Sequence, residues 1–339
     1  MGSSASSPAV APILGNRALT PIFGYHASHE QHAPSALLDY VRAAEKAGFE
    51  GAMCSDHFHP WLEENGHSGY AWSWLGSALQ ASGLSFGTVC APGYRYHPAI
   101  VAQAAATLAE MYPERLWVAL GSGEAANEAI TGGRWPMKAE RNARLRECAQ
   151  VMRALWRGET VTHHGRVIVE EAKLYTRPKI APLLFAAALS EETAEFAGEW
   201  ADGLITTGGP VEQPAKLAAA FRRGGGEGKP VRVQYALSWD VNEEAARRGA
   251  HAQWRFSVLG SDVLADLRTP KQFAAAAQFV TPDDVAAKVR ISSDPRRHVA
   301  WLREYLNAGF GAVYLFNVNT NQREYIRTFG EQVLPQLKA

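Results

Sequence analysis

Cysteine is scarce in this 339-residue chain, with only Cys54, Cys90 and Cys148. They lie far apart and form no CxxC pair, which excludes a zinc ribbon or a redox dithiol and points to a reducing, cytoplasmic setting. Cys54 and Cys90 each close an apolar run and read as buried thiols. No stretch approaches the ~20 continuous apolar residues of a membrane span, so no membrane partner is expected. Net charge is missing too: 34 basic residues balance 34 acidic ones, which argues against nucleic acid as the main partner. No GxGxxG stands at a strand-to-helix junction, which weighs against an open dinucleotide-binding sheet. Residues 1–20 lack both a basic start and an unbroken apolar stretch, so they read as a flexible tail rather than a secretory signal.

What the chain does have is alternation. Short β-type runs, Ile22–Tyr25, Gly51–Cys54, Leu84–Cys90, Leu116–Leu120, Pro182–Ala188, Leu204–Thr207, Val231–Leu237 and Ala312–Phe316, are separated by helix-type runs. Pro34 to Gly48 shows the helical period in Leu37, Leu38, Val41 and Ala44, with Pro at its start and Gly at its stop. Lys138 to Trp156 repeats Leu145, Cys148, Met152 and Leu155 on one face. Thr160 to Val169 reads as a small hairpin, Gly260 to Val280 as irregular, and Arg323 to Leu337 as one last helix. Eight strand–helix repeats predict a parallel sheet closed into a single (β/α)8 barrel spanning residues 21–339. Barrel active sites form at the C-terminal ends of strands, so the residues after each strand matter most.

Histidines and carboxylates collect there. His26-Ala27-Ser28-His29-Glu30-Gln31-His32 follows the first strand and Ser55-Asp56-His57-Phe58-His59-Pro60-Trp61 the second. A carboxylate next to an imidazole can tune a proton acceptor near neutral pH. The same His could simply satisfy a loop carbonyl. His57 and His59 also form an HxH pair, a weak pointer to a metal-dependent barrel hydrolase, with no further ligand set after the late strands. After the fourth strand, Gly121-Ser122-Gly123-Glu124 leaves the backbone bare for something flat or anionic and projects Glu124 into the mouth. The alternative is a plain tight turn with a helix-start carboxylate. After the fifth strand, Ala188-Leu189-Ser190-Glu191 opens a helix whose free N–H groups suit a phosphate, or Ser190 merely caps it.

Taken together, Gly24 to Gln31, Ser55 to Trp61, Arg95-Tyr96-His97-Pro98-Ala99, Gly121 to Glu128 and Trp200-Ala201-Asp202-Gly203-Leu204 resemble the luciferase-like monooxygenase superfamily. The closest likeness is to its group of deazaflavin-dependent glucose-6-phosphate dehydrogenases. The resemblance runs from about residue 22 to the C-terminus. It implies a homodimeric barrel with a late insertion, about residues 240–282, and a flavin or deazaflavin F420 ring in the mouth. Carried over by position, His57 is the base for the substrate hydroxyl, Glu124 the acid that meets the ring, and Trp61 its cover. Asp56, Val89, Asn127 and Ala188, Leu189, Ser190 and Glu191 would bind the cofactor, with Val89 near a family non-prolyl cis peptide. Glu30, Trp61, Tyr94 and Thr207 would bind substrate.

Departures from the pattern shape the expected activity. Pro210 stands where the dehydrogenases carry a lysine. A second lysine is missing between Leu259 and Ala265, and the third basic position falls loosely on Lys288 or Arg290. A dianionic phosphate needs several cations, so the expectation excludes glucose 6-phosphate. The shortened block Ala91 to Pro98 and the lack of an evident late basic cluster favour FMN over F420. The expected enzyme is thus an FMN- or F420-dependent oxidoreductase acting by hydride transfer on a small alcohol, carbonyl or activated alkene. The alternatives are an FMN-dependent monooxygenase, with a separate flavin reductase as partner, the metal-dependent hydrolase, and a cofactor-binding paralogue without turnover.

Overall fold

The computed structural model describes residues 21–338; the expected tail, residues 1–20, lies outside them. Eleven strands form among these residues: β1 (Ile22–Ala27), β2 (Gly51–Cys54), β3 (Ser85–Cys90), β4 (Leu116–Leu120), β5 (Val161–His164), β6 (Ile168–Ala172), β7 (Leu183–Ala187), β8 (Gly203–Gly208), β9 (Val231–Ser238), β10 (Arg290–Ile291) and β11 (Ala312–Asn317). β1, β2, β3, β4, β7, β8, β9 and β11 pair in parallel around a ring that β11 closes onto β1 and β8 onto β9. This is a (β/α)8 barrel. β10 extends the rim beside β9, and β5–β6 is an antiparallel hairpin on the outside.

Buried apolar stripes hold the helices against the outer face of the barrel. Pro34–Lys46 buries Leu37, Val41 and Ala44 and has proline in its first turn. Lys138–Arg157 buries Leu145, Cys148, Met152 and Leu155 and stops at Gly158, whose φ of 88° only glycine takes without strain. On β9 the residues alternate: Val231, Val233 and Tyr235 sit under the helices, while Arg232, Gln234 and Ala236 face the lumen.

Aromatic rings and one cation fill the N-terminal end of the lumen. Trp117 lies so close to β3 that a Cβ on Gly87 would stand 1.9 Å from its indole, and one on Gly24 2.3 Å from Tyr314. The Arg232 guanidinium lies over Trp117 and Phe185, at 4.5 and 4.3 Å, and its Nη1 donates to the Tyr314 hydroxyl at 3.3 Å. That floor is shut, so the open end is the C-terminal one.

Two sequence expectations need correction. The stretch Gly260 to Val280 is helical, as Ser261–Asp266 and Pro270–Ala276. Both pieces are too short to display a 3.6-residue period, but Thr269 and Gln272 form a reciprocal cap that marks the second. The final helix is two, Gln322–Gln332 and Leu334–Lys338. Pro335 explains the break, because proline lacks the N–H and its ring would clash with the carbonyl four residues back.

Candidate active site

A pocket of about 670 Å³ opens at the C-terminal ends of the barrel strands. That volume lies within the usual range for a small-molecule or cofactor site. Its walls come from the loops after β1, β2, β4, β7 and β8 and from the helical stretch between β9 and β10.

His57 and Glu30 form its most polarised contact. His57 Nδ1 lies 2.5 Å from Glu30 Oε1. Glu30 Oε2 accepts from Ser55 Oγ at 2.6 Å and from Ser28 Oγ at 2.9 Å. Burial on its own would raise the Glu30 carboxyl, but His57 and the Ser55 hydroxyl outweigh it and hold the group well below the usual carboxylate range. Burial would likewise lower His57, yet Glu30 above all, with Glu124 and Asp56, pushes it up to about 9. These shifts favour an imidazolium–carboxylate pair near neutral pH, with a titratable proton poised at the mouth.

Trp61 meets the His57 ring edge to face, 5.0 Å between centroids and 89° between planes. Across the mouth, Glu124 starts the short helix Ala125–Glu128, and its Oε2 accepts from Asn127 Nδ2 at 3.3 Å. Gly123 has φ 79°, and a Cβ there would come within 2.9 Å of Glu128 and 3.1 Å of Ala91. The turn that presents Glu124 thus depends on glycine.

Behind this surface a buried charge network supports β2. Asp56 accepts from the Tyr96 hydroxyl at 3.0 Å and pairs with Arg95 at 3.3 Å, while Arg95 also reaches Glu128 at 3.5 Å. One guanidinium serves two carboxylates. Burial pushes Glu128 up to about 7 and raises Asp56, with Arg95 opposing both.

The structure brings together Glu30, Asp56, His57, Trp61, Val89, Glu124, Ala188, Leu189 and Thr207 around one pocket. It does not bring in Tyr94, Asn127, Ser190 or Glu191. Tyr94 lines a separate depression with Gly93, Arg134 and Arg144, because the loop turns at Gly93 with φ 102° and Tyr94 packs on Trp135 and Arg144. Asn127 is held outside the pocket: its Oδ1 accepts from Phe58 N at 2.9 Å and His59 N at 3.3 Å, while its Nδ2 donates to Glu124. Ser190 caps its own helix and accepts from Lys138 Nζ at 2.9 Å, and exposed Glu191 pairs with Arg223. Val89 stands on the pocket wall, but among the described residues no peptide is cis, the trans form being the cheaper by ~3–4 kcal/mol. His59 Nδ1 turns to the Ala126 carbonyl at 2.7 Å, so His57 and His59 are engaged apart from each other.

Sequence reasoning missed several lining residues. Lys138, Arg141 and Lys216, all on helices, put three cations on the wall beside Lys288, the basic position that the sequence places loosely and that stands in the turn before β10. Trp254 and Phe256 come from the late helical stretch. His26 also lines the pocket with its Nδ1 unpartnered, and burial holds its imidazole down at about 4.

Comparison with known proteins agrees with this architecture. The chain matches the luciferase-like monooxygenase family over residues 18–312. An F420-dependent glucose-6-phosphate dehydrogenase of Nakamurella multipartita is 34% identical over 328 residues, 94% of this chain and 96% of that protein. One from Mycobacterium avium is 33% identical over 328 residues, 93% and 97% of the two chains. The structure of an F420-dependent secondary alcohol dehydrogenase with an F420–acetone adduct superposes with a TM-score of 0.87 at 31% identity, covering 94% of this chain and 99% of that one. The F420-dependent tetrahydromethanopterin reductase of Methanopyrus kandleri shares the fold, with a TM-score of 0.76 at 22% identity over 94% and 99% of the chains. The exclusion of glucose 6-phosphate drawn from Pro210 does not stand. Relatives named for that activity match nearly the whole chain at 32–34% identity, and Lys216 joins Lys288 in supplying cations to the pocket wall. The chain belongs to the luciferase-like monooxygenase family and is an oxidoreductase of that family.

Proposed function

We propose that this protein is an F420-dependent dehydrogenase acting on a hydroxyl-bearing carbon of a small substrate, with glucose 6-phosphate and simple secondary alcohols as the first candidates. The observation that carries the reading is the Glu30–His57 ion pair, set on the same bowl as Glu124 and covered by Trp61. The pocket's donors fit the coenzyme. The Gly121–Ser122–Gly123 backbone lies bare on the wall, His26 Nδ1 and Thr206 Oγ1 are buried without a partner, and Lys138 and Arg141 offer positive charge to an acidic side chain. Bound there, F420 would supply a two-electron hydride acceptor. F420 replaces FMN as the favoured cofactor because the relatives that cover nearly all of this chain carry F420 in their names.

His57 holds the proton that matters. As imidazolium it donates to a carbonyl oxygen in the reducing direction, with Glu30 stabilising the charge it starts from. In the oxidising direction neutral imidazole takes the proton of the substrate hydroxyl, and that form gains population as pH rises towards about 9. Trp61 excludes water from one side of the imidazole. Lys216 and Lys288 can bind an anionic group on the substrate at the outer wall.

The test is titration with F420 and with FMN, followed by turnover assays with glucose 6-phosphate and secondary alcohols. Tight F420 binding with substrate-dependent bleaching of its absorbance is expected. FMN binding alone, with oxygen consumed and no alcohol oxidised, would overturn the reading. A homodimer belongs to the same proposal and is checked by light scattering on the purified protein.

A further inference from the structure

We propose that Phe256, from the helical stretch after β9, is a positioning residue that fixes Trp61 against His57 and thereby sets the proton affinity of the Glu30–His57 pair. Phe256 is 2% exposed and stacks flat on Trp61, with 4.7 Å between centroids and 14° between planes. Phe273, fully buried, meets the same indole edge-on at 5.2 Å and 86°. Trp61 in turn stands at right angles to the His57 ring. Flat stacking on one side and edge contact on another leave the indole one orientation, and the rings prefer these geometries over a face-to-face sandwich.

The stack stands apart from the main core. Leu62, Ala126, Phe256 and Phe273 form a small cluster of their own, separate from the main core. Phe256 also packs on Trp254, which meets Phe316, and Phe316 lies 4.4 Å from the pocket residue His26. A continuous line of aromatic rings thus runs along the mouth from His57 to His26, with Phe256 in its middle. Polar ties hold the stretch to the body: Arg255 pairs with Glu64 at 2.9 Å, and Asp266 accepts from Trp135 Nε1 at 3.2 Å.

Trp61 keeps water off the His57–Glu30 contact, where a low effective dielectric makes the attraction strong. Loosening the indole admits solvent, weakens the pull of Glu30, and moves His57 back towards its ordinary value of 6.5. The groups facing His57 are Glu30, Glu124 and Asp56, all anionic when ionised, together with His26 and His29, which burial keeps neutral.

The experiment measures the His57 titration midpoint by NMR in the free protein, in wild type, Phe256→Ala, Phe256→Leu and Phe256→Tyr. Phe256→Ala should lower the midpoint by a unit or more. Phe256→Leu, which keeps bulk without the flat ring, should lower it partly, and Phe256→Tyr should restore it. With F420 and substrate, Phe256→Ala should raise KM about tenfold or more and shift the pH profile down by the same amount as the NMR midpoint. The kinetic arm rests on the proposed function, whereas the NMR arm does not. Wild-type protein without turnover would therefore sink that function and leave the midpoint to decide this inference. An unchanged midpoint in folded Phe256→Ala, or in Phe256→Leu should the alanine variant fail to fold, overturns it.

Discussion

Glu30 and His57 hold opposite charges in a contact of 2.5 Å, and their acid–base behaviour sets what the site can do at a given pH. His57 is raised from 6.5 to about 9, so its share of folding stability is complete below 6.5 and is lost as pH climbs through about 9. Glu30 is lowered from 4.5, so its share is present above that value and fades as acid protonates it. Substrate oxidation should accordingly rise with pH to a plateau above about 9, and carbonyl reduction should fall over the same interval; initial rates in both directions across pH 6 to 10 check this, with the range chosen around that midpoint. Replacing Glu30 with Gln should move both midpoints down, since burial then acts on His57 without its main counter-charge, and pH–rate profiles of the variant read the move. His57→Ala should cut turnover by ~10²–10⁴-fold with F420 affinity little changed, as for other general acid–base groups; unaltered turnover would remove His57 from the chemistry. Most of this site was legible in the sequence, because Glu30, Asp56, His57, Trp61 and Glu124 each follow a strand by a few residues, and barrel topology then forces them together. The charge state was not legible, because adjacency of Asp56 and His57 suggested one carboxylate partner where folding supplies another, Glu30 from a different loop. Tyr94 misled for the related reason that a positive-φ glycine before it turns the side chain away from the mouth.

At the scale of single elements, the turn from β4 into Ala125–Glu128 constrains the mouth through Gly123. Gly123→Ala forces a side chain into positive φ and against Glu128 and Ala91. It should cost about 1–3 kcal/mol of stability and weaken F420 binding, measured by thermal melting and by fluorescence titration; a variant with wild-type melting and affinity would contradict the account. Strand and helix positions were readable where periodicity had room to show. Gly51–Cys54 and Leu116–Leu120 have the bounds that their apolar runs indicate. The stretch Gly260 to Val280 resisted reading because its two helices run only six and seven residues, the second held by its cap and by the contact of Phe273 with Trp61 rather than by an amphipathic stripe. The cations on the pocket wall were hidden likewise: Lys138 and Lys216 sit on helices whose sequences look ordinary, and only the packing angle of each helix turns them inward.

Across the whole molecule, the two ends of the barrel do different work. The N-terminal end is sealed by Arg232 among Trp117, Phe185 and Tyr314, whereas the other end opens into the candidate site. Arg232→Ala should destabilise the fold by about 2–4 kcal/mol, through lost cation–ring contact and the cavity left behind. It should leave KM and the pH profile unchanged, which denaturant melts and steady-state kinetics on the folded fraction can test. The closure of the ring has a consequence for how such a chain is made. β1 pairs with β2 on one side and with β11 on the other, so β1 keeps one bare hydrogen-bonding edge from its own synthesis until β11 has been made. During that interval the nascent polypeptide exposes a ready template for mispairing with its neighbours. Any truncation ahead of Ala312 would make that temporary vulnerability permanent.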